Sequence, residues 1–381
     1  MDEKKKDPSL IWKVTSATLA VVCLIVLCAY FVKYDNVGSG NNESPAEYVS
    51  EESSNSSKSK KDALSMWTDS APLKKQLTEY MSRITNKDSK DFIPVEKRIA
   101  VFDFDGTLFC ETDPVYFDYR LFYYRVTEDP DYKDKASAVE KETAAKIKTM
   151  MDTGESAKGL EIAHGQGVAS AFAGMTMGQF SSYVKKFRDM DTPSYNNMKN
   201  GEAFYRPMLQ VIDYLKANDF TVYVVSGTDR FIVRGIIEDS MLDLPPRQII
   251  GSDESIVADH QNKEDGLTYQ YKLEDRVITG GDFLIKNLKM NKVSVIQQEI
   301  GVQPVLSFGN SSGDNSMANF VIDDNPYPSK AFMLCCDALE RENGNTEKAD
   351  KMRKSCEENG WTAISMKDDW KTIYGDSVTK K

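Results

Sequence analysis

Residues 101–108 read VFDFDGTL, and this octapeptide constrains the chain more than any other stretch. The apolar residues Val101, Phe102, Phe104 and Leu108 enclose Asp103 and Asp105, and Gly106 and Thr107 follow at once. A short apolar run that ends in a glycine turn reads as a buried strand and its exit loop. Carboxylates at such a place are costly. Each needs a metal, a proton or hydrogen-bond donors to offset its desolvation. The strand ends of an open α/β sheet are also where ligands bind. The pattern therefore points to a catalytic carboxylate beside a metal.

Composition narrows the alternatives. A chain of 381 residues, 40% of them hydrophobic, is long enough to bury a substantial core. The net charge of −11 argues against a nucleic-acid partner, which would meet a basic face. The two histidines, His164 and His260, stand in no metal-ligand spacing, so a histidine zinc site or a Ser-His-Asp triad is poorly supplied. Each reads as a structural residue. The six cysteines form no CxxC pair. A disulfide from Cys335 or Cys336 to Cys356 and a set of free buried thiols are both compatible with their spacing.

The chain divides by composition. Residues 14–32 carry no charge and are mostly apolar, close to the length that spans a bilayer. Lys4, Lys5, Lys6 and Lys13 precede them, which places residues 1–13 on the cytoplasmic side and the rest of the chain outside. A cleaved signal peptide is the alternative, but no A-x-A site follows the run. Residues 33–62 are rich in Ser, Asn, Glu and Lys and read as a disordered linker. Residues 64–84 look helical, with Pro72 near a helix start. Residues 113–207 contain charged helical stretches and no strong strand, so they read as a helical cap inserted after the first strand. Residues 63–112 and 208–381 alternate strand and helix. LQVIDYLKAND, FIVRGIIEDSM and KVSVIQQEIG read as helices. FTVYVVSGT, RQIIGSDESIV, PVLSFG and NFVIDDNP read as strands, and LTYQYKLEDRVIT as a hairpin. Alternation of this kind predicts an α/β fold, with a Rossmann-like parallel sheet and crossover helices.

Four loops at strand ends carry chemistry. They are Asp103 to Thr107, Ser226-Gly227-Thr228, a lysine near a helix start, and Gly309-Asn310-Ser311-Ser312-Gly313-Asp314. Lys292 is favoured for the lysine over Lys286 and Lys289. A parallel sheet opens all four loops on one edge. Together they supply carboxylates, hydroxyls, an ammonium and backbone amides, an inventory suited to a phosphoryl group.

With these motifs in order, residues 95–325 or so resemble the haloacid dehalogenase superfamily, in its phosphoserine-phosphatase-like branch. The resemblance implies that Asp103 is a nucleophile that forms an aspartyl-phosphate. It implies that Asp105 protonates the leaving oxygen and later activates water. Asp103 and Asp105 (through its carbonyl), with Asn310 and Asp314, would hold Mg²⁺. Thr107, Ser226, Gly227 and Lys292 would bind the phosphate. Family members usually carry aspartate where this chain has Asn310, so the metal shell loses one negative charge. A glutamate shortly after the first motif contacts a substrate amine in the resembling enzymes, and Glu111 stands near that place. Beside it run Tyr116, Phe117, Tyr119, Phe122, Tyr123 and Tyr124, readable as a cage for a quaternary ammonium or as cap core.

These readings combine into a membrane-anchored, extracytoplasmic, Mg²⁺-dependent phosphomonoesterase. Its expected substrate is a small phosphorylated metabolite, with an amine-bearing one in view. A phosphotransferase that uses the same intermediate, and a catalytically weakened binding protein suggested by Asn310, are the alternatives.

Overall fold

Strand β1 (Ile99–Phe102) has all four residues buried, which places it at the centre of a sheet covered on both faces. A computed structural model, which describes residues 63–381, shows this arrangement. The tail, apolar run and linker expected over 1–13, 14–32 and 33–62 lie outside the described residues. Among the described residues no helix is long and apolar enough to cross a membrane.

Seven strands form the sheet in the order β5-β4-β3-β1-β6-β7-β8. Strands β3 (Thr221–Asp229) and β6 (Leu306–Gly309) flank β1 in parallel. Parallel pairing continues outward to β4 (Ile249–Ala258) on one side, and to β7 (Lys330–Cys335) and β8 (Thr362–Ser365) on the other. The last strand, β5 (Val277–Ile285), folds back antiparallel on β4. The sheet is thus mostly parallel rather than wholly so.

The predicted hairpin exists, but its arms are β4 and β5, and most of LTYQYKLEDRVIT belongs to the loop between them. Polar side chains shape that loop. The buried carboxylate of Asp275 accepts from the Tyr269 hydroxyl (2.8 Å) and the Lys272 N–H (2.7 Å), and His260 Nδ1 lies 3.0 Å away. NFVIDDNP is not a strand. Its apolar part ends helix α9 (Asn315–Ile322), and the strand follows as β7. A short apolar run reads either way, and the burial of Met317, Ala318 and Val321 on one helical face decides it.

Helix α1 (Pro72–Ile84) begins at Pro72, not at Leu64. Proline suits the first helical position and disfavours helix in the residue before it. Trp67 instead packs edge-on against Trp370, with ring centroids 5.8 Å apart.

Between β1 and β3 the chain forms α2 (Phe117–Thr127), α3 (Ala138–Thr153), α4 (Leu160–Ala171) and α5 (Met177–Arg188), as expected for a helical insertion. Capping boxes, Ser137 with Glu140 and Thr176 with Gln179, open α3 and α5. The insertion leans on the β4–β5 hairpin. A Cβ at Gly165 of α4 would stand 2.5 Å from the Phe283 ring, so only glycine allows this approach. Strand β2 (Tyr195–Asn196) pairs with β9 (Thr379–Lys380), and α6 (Arg206–Lys216) leads into β3. Helix α7 (Arg230–Ile237) follows β3. Helix α8 (Met290–Val295) runs into a π-helical turn, and α10 (Thr346–Asn359) packs beside β7.

Among the described residues Cys110, Cys335, Cys336 and Cys356 are free thiols, so no Cys335 or Cys336 bridge to Cys356 forms. Glu342 is fully buried and accepts from Tyr195 (2.7 Å), Tyr374 and Thr112. Its carboxylate fastens the last fifty residues to the loop that follows the two aspartates.

Candidate active site

Asp103 lies directly after β1, and its N–H donates to Phe308 of β6 at 2.8 Å. Lys292 of α8 is fully buried and donates to Asp103 Oδ1 at 2.5 Å and to Asp314 Oδ1 at 2.7 Å. Of the lysines considered, Lys292 is the one bonded to Asp103, while Lys286 and Lys289 stand on a cavity wall. The Lys289 N–H donates to the Gly313 carbonyl (2.8 Å), which joins the start of α8 to the last motif loop. Burial pushes the Asp103 carboxyl up to about 7, the Asp314 carboxylate adds to this, and Lys292 opposes both.

Asp105 follows two residues on. Gly106 has φ +74°, and a Cβ there would meet Asn310 Nδ2 at 1.9 Å, so the turn requires glycine twice over. The Thr228 hydroxyl lies 2.7 Å from Asp105 Oδ2 and 3.1 Å from Asp118 Oδ2. One hydroxyl carries one proton. Both contacts are hydrogen bonds only if one of the two carboxyls is protonated and donates back. Burial, then Asp118, then Asp103 hold Asp105 well above the usual carboxyl range. Asp105 is thereby suited to carry a proton, and Asp103, with an ammonium on it, to carry charge.

Asp314 anchors the last loop. Its Oδ2 accepts from the N–H groups of Asn310 (3.1 Å) and Ser311 (3.0 Å) and from the Ser311 hydroxyl (3.2 Å). With Oδ1 on Lys292, both oxygens are engaged. Asp314, expected among the metal ligands, lines the cavity above Asp103 and also braces its own loop. Asn310 takes the forward position. The Thr107 hydroxyl approaches its Oδ1 at 3.5 Å, and the Asn310 side-chain N–H donates to the Glu111 carboxyl.

Above these residues lies a cavity of about 430 Å³. Asp103, Asp105, Gly227 and Thr228 line it from the sheet, and Tyr116, Asp118, Tyr119 and Glu161 from the helical insertion. Glu111 is half-buried on the same wall, and burial pushes its carboxyl up to about 7 against the Asn310 bond. Ser226 and Thr107 are fully buried beneath the wall rather than on it. Ser226 Oγ accepts from the Thr228 N–H at 3.0 Å, and its carbonyl accepts from Asn287 at 2.9 Å. Strand β3 continues through Ser226 to Asp229, past the predicted turn. The aromatic run splits. Tyr116 and Tyr119 face the cavity, Phe117 and Phe122 are core, and Tyr123 and Tyr124 pack partly buried against it.

One residue of this site escapes a reading of the sequence as a site residue, Asp118, which Thr228 of the second loop links to Asp105. Asp118 is 2% exposed, and its Oδ1 has no hydrogen-bond partner among the described residues. The signal was an acid in the first turn of a helix among aromatics, where a carboxylate is seldom buried without a task. His164 packs against the Tyr119 ring (4.1 Å between centroids), and burial holds its pKa down to about 4. It is a neutral structural histidine, as its isolation in the sequence implies.

Residues 100–319 match the haloacid dehalogenase-like hydrolases. No curated protein matches the chain. Among solved structures the chain is similar to a conserved, functionally unknown protein from Anaerococcus prevotii. The two are 13% identical with a TM-score of 0.47, over 79% of this chain and 94% of that one. It is also similar to cytosolic 5′-nucleotidase IIIB bound to cytidine, at 12% identity and a TM-score of 0.46, over 81% and 92%. A phosphoserine phosphohydrolase-like protein from Francisella tularensis is 13% identical with a TM-score of 0.37, over 71% and 95%.

Proposed function

The chain belongs to the haloacid dehalogenase-like hydrolases, and from that premise we propose that it is a Mg²⁺-dependent phosphomonoesterase. One observation carries the reading. A fully buried lysine is held between Asp103 and Asp314, directly beneath a cavity that also holds Asp105. A buried ammonium beside a nucleophilic carboxylate suits a transferring phosphoryl group.

In the first step an Asp103 oxygen attacks phosphorus. The bond to the leaving oxygen breaks, and the Asp105 carboxyl gives that oxygen its proton. In the second step Asp105 takes a proton from water, which attacks phosphorus and breaks the bond to Asp103. Both aspartates return to their starting states. The Asp105–Thr228–Asp118 contacts keep the proton at the acid, and the insertion covers the cavity and excludes bulk water.

The donors available at the site are oxygens, which suit a hard cation. Asp103 Oδ2, the Asp105 carbonyl and Asn310 Oδ1 would hold Mg²⁺, which would favour the Asp103 anion and neutralise phosphoryl charge. Phosphate release from p-nitrophenyl phosphate and a panel of phosphometabolites tests the reading. We expect turnover with Mg²⁺ and its loss, by about a hundredfold or more, in EDTA. A folded chain that hydrolyses none of them sinks it. Added acceptor alcohols would reveal transfer in place of hydrolysis.

Asp118→Asn checks the proton relay. Removing a charge that raises the Asp105 pKa should move the basic limb of the kcat–pH profile to lower pH. It should also reduce kcat at neutral pH by about tenfold. A profile that falls without moving would make Asp118 a packing residue only.

We also propose that residues 14–32 anchor the chain in a membrane with the hydrolase outside the cytoplasm. The charge-free apolar run and the lysines that precede it support this placement.

A further inference from the structure

Beside the catalytic cavity lies a second one, of about 570 Å³. The two share a wall that includes Glu111, Tyr116, Met150, Asn310, Ser312 and Lys348. The far side of the second cavity comes from beyond residue 319, where the family match ends. Cys336 and Asn343 contribute from the segment after β7, and Met352 and Ser355 from α10. This wall is fastened in place. Asn343 Nδ2 donates to the Thr112 carbonyl at 2.8 Å, and Glu342 accepts the Thr112 hydroxyl.

The lining has a definite chemistry. The amides of Asn310, Asn315 and Asn343 and the hydroxyls of Thr112, Ser312 and Ser355 offer both donors and acceptors. Asn315 Oδ1 has no hydrogen-bond partner among the described residues. Tyr116, Met150, Leu334 and Met352 add apolar faces. The charged side chains on this cavity are Glu111, Lys348 and Lys351, so a cationic guest would meet more repulsion than attraction. Apolar faces with a few convergent polar groups orient a ring that carries hydroxyls or amides.

We propose that this second cavity receives the alcohol half of the phosphomonoester, and that this half is an uncharged, hydroxylated ring rather than a small amine. The inference rests on the phosphomonoesterase reading above. Sugars and nucleosides share this chemistry. The amine expectation drew on Glu111 and the aromatics beside it, of which Glu111 and Tyr116 line both cavities and the rest do not.

The full chain with Mg²⁺ is assayed on glucose 6-phosphate, adenosine 5′-monophosphate, phosphoserine and phosphoethanolamine, beside Ser355→Trp, which fills the far end of the second cavity. The expected kcat/KM for at least one ring ester exceeds that for both amine esters by about tenfold or more. Whichever ring ester prevails tells sugar from nucleoside. In Ser355→Trp the ratio of ring ester to phosphoethanolamine should fall by about tenfold or more, with the thermal melt recorded to show that the variant is folded. A wild-type preference for the amine esters overturns the proposal whatever the variant does. An unchanged ratio in a folded variant overturns it too. If no ester is hydrolysed, the phosphomonoesterase reading fails by itself. Equilibrium dialysis of adenosine 5′-monophosphate and glucose 6-phosphate then decides the cavity. Saturable binding that Ser355→Trp loses supports it, and no binding refutes it.

Discussion

Asp103→Asn is expected to lower kcat for phosphate release by about a thousandfold or more while leaving the fold intact. The amide matches the carboxylate in shape, and Asn can still accept from Lys292 through its oxygen. What it loses is the nucleophilic anion. Asp103 meets a buried ammonium at 2.5 Å and lines the catalytic cavity, whereas the second oxygen of Asp314 is taken up by N–H groups of its own loop. Measurement of kcat beside a thermal melt checks this. A variant that keeps about a tenth of wild-type activity would remove Asp103 from the nucleophile's role and leave direct attack by water. Acid quench of the wild type during turnover gives an independent check, since an acyl phosphate on Asp103 is trapped by the drop in pH.

Lys292→Met carries the second large effect, and it falls on stability as well as activity. Lys292 is fully buried and compensates two carboxylates, Asp103 and Asp314. Methionine fills a similar volume but leaves like charges facing each other in a dry site. Loss of one partner from a buried ion pair costs about 3–5 kcal/mol. The effect depends on pH with a definite sign. Asp103 is already held up to about 7 with the lysine in place, and without it the carboxyl is held higher still. A carboxyl whose folded pKa exceeds its unfolded value destabilises the fold above that unfolded value. Below about 7 the wild-type Asp103 is protonated as well, so the part of the gap owed to Asp103 closes while the part owed to Asp314 remains. Urea denaturation should therefore show a gap at pH 8 that narrows at pH 5. A gap equal at both pH values would mean that the lysine acts through packing or through Asp314 and not through the charge on Asp103.

Much of the site is legible in the sequence because its motifs join neighbouring residues under strict local demands. The turn at Gly106 needs a positive φ and no Cβ, and the two aspartates stand on either side of Phe104 in a buried strand end. Such requirements fall on particular positions and leave a pattern. The order of strand, helical insertion, strand and helix follows equally from apolar and charged spacing along the chain. The misplaced elements failed for a stated reason. Phe320, Val321 and Ile322 make a short apolar run that suits strand or helix, and only the neighbours of α9 choose. The β4–β5 hairpin was placed too late because the tyrosines that alternate in LTYQYKL imitate a strand, whereas Tyr269 turns to bind Asp275.

What the sequence by itself determined is the chemistry that depends on adjacency: the paired aspartates, the glycine turn, the polar loops after strands and the helical insertion after the first of them. What only the tertiary structure decided is which distant groups meet. Lys292 lies 189 positions from Asp103, and Thr228 lies 123 from Asp105 and 110 from Asp118. The same holds for Asp314, which turns both oxygens to its own loop and to Lys292, and for the last fifty residues, which Glu342 draws against the site to build the second cavity. The reason is physical. Local sequence sets backbone conformation and one face of each element, but the partner of a buried charge is chosen by the packing that removes water from both, and that packing exists only once the sheet has formed.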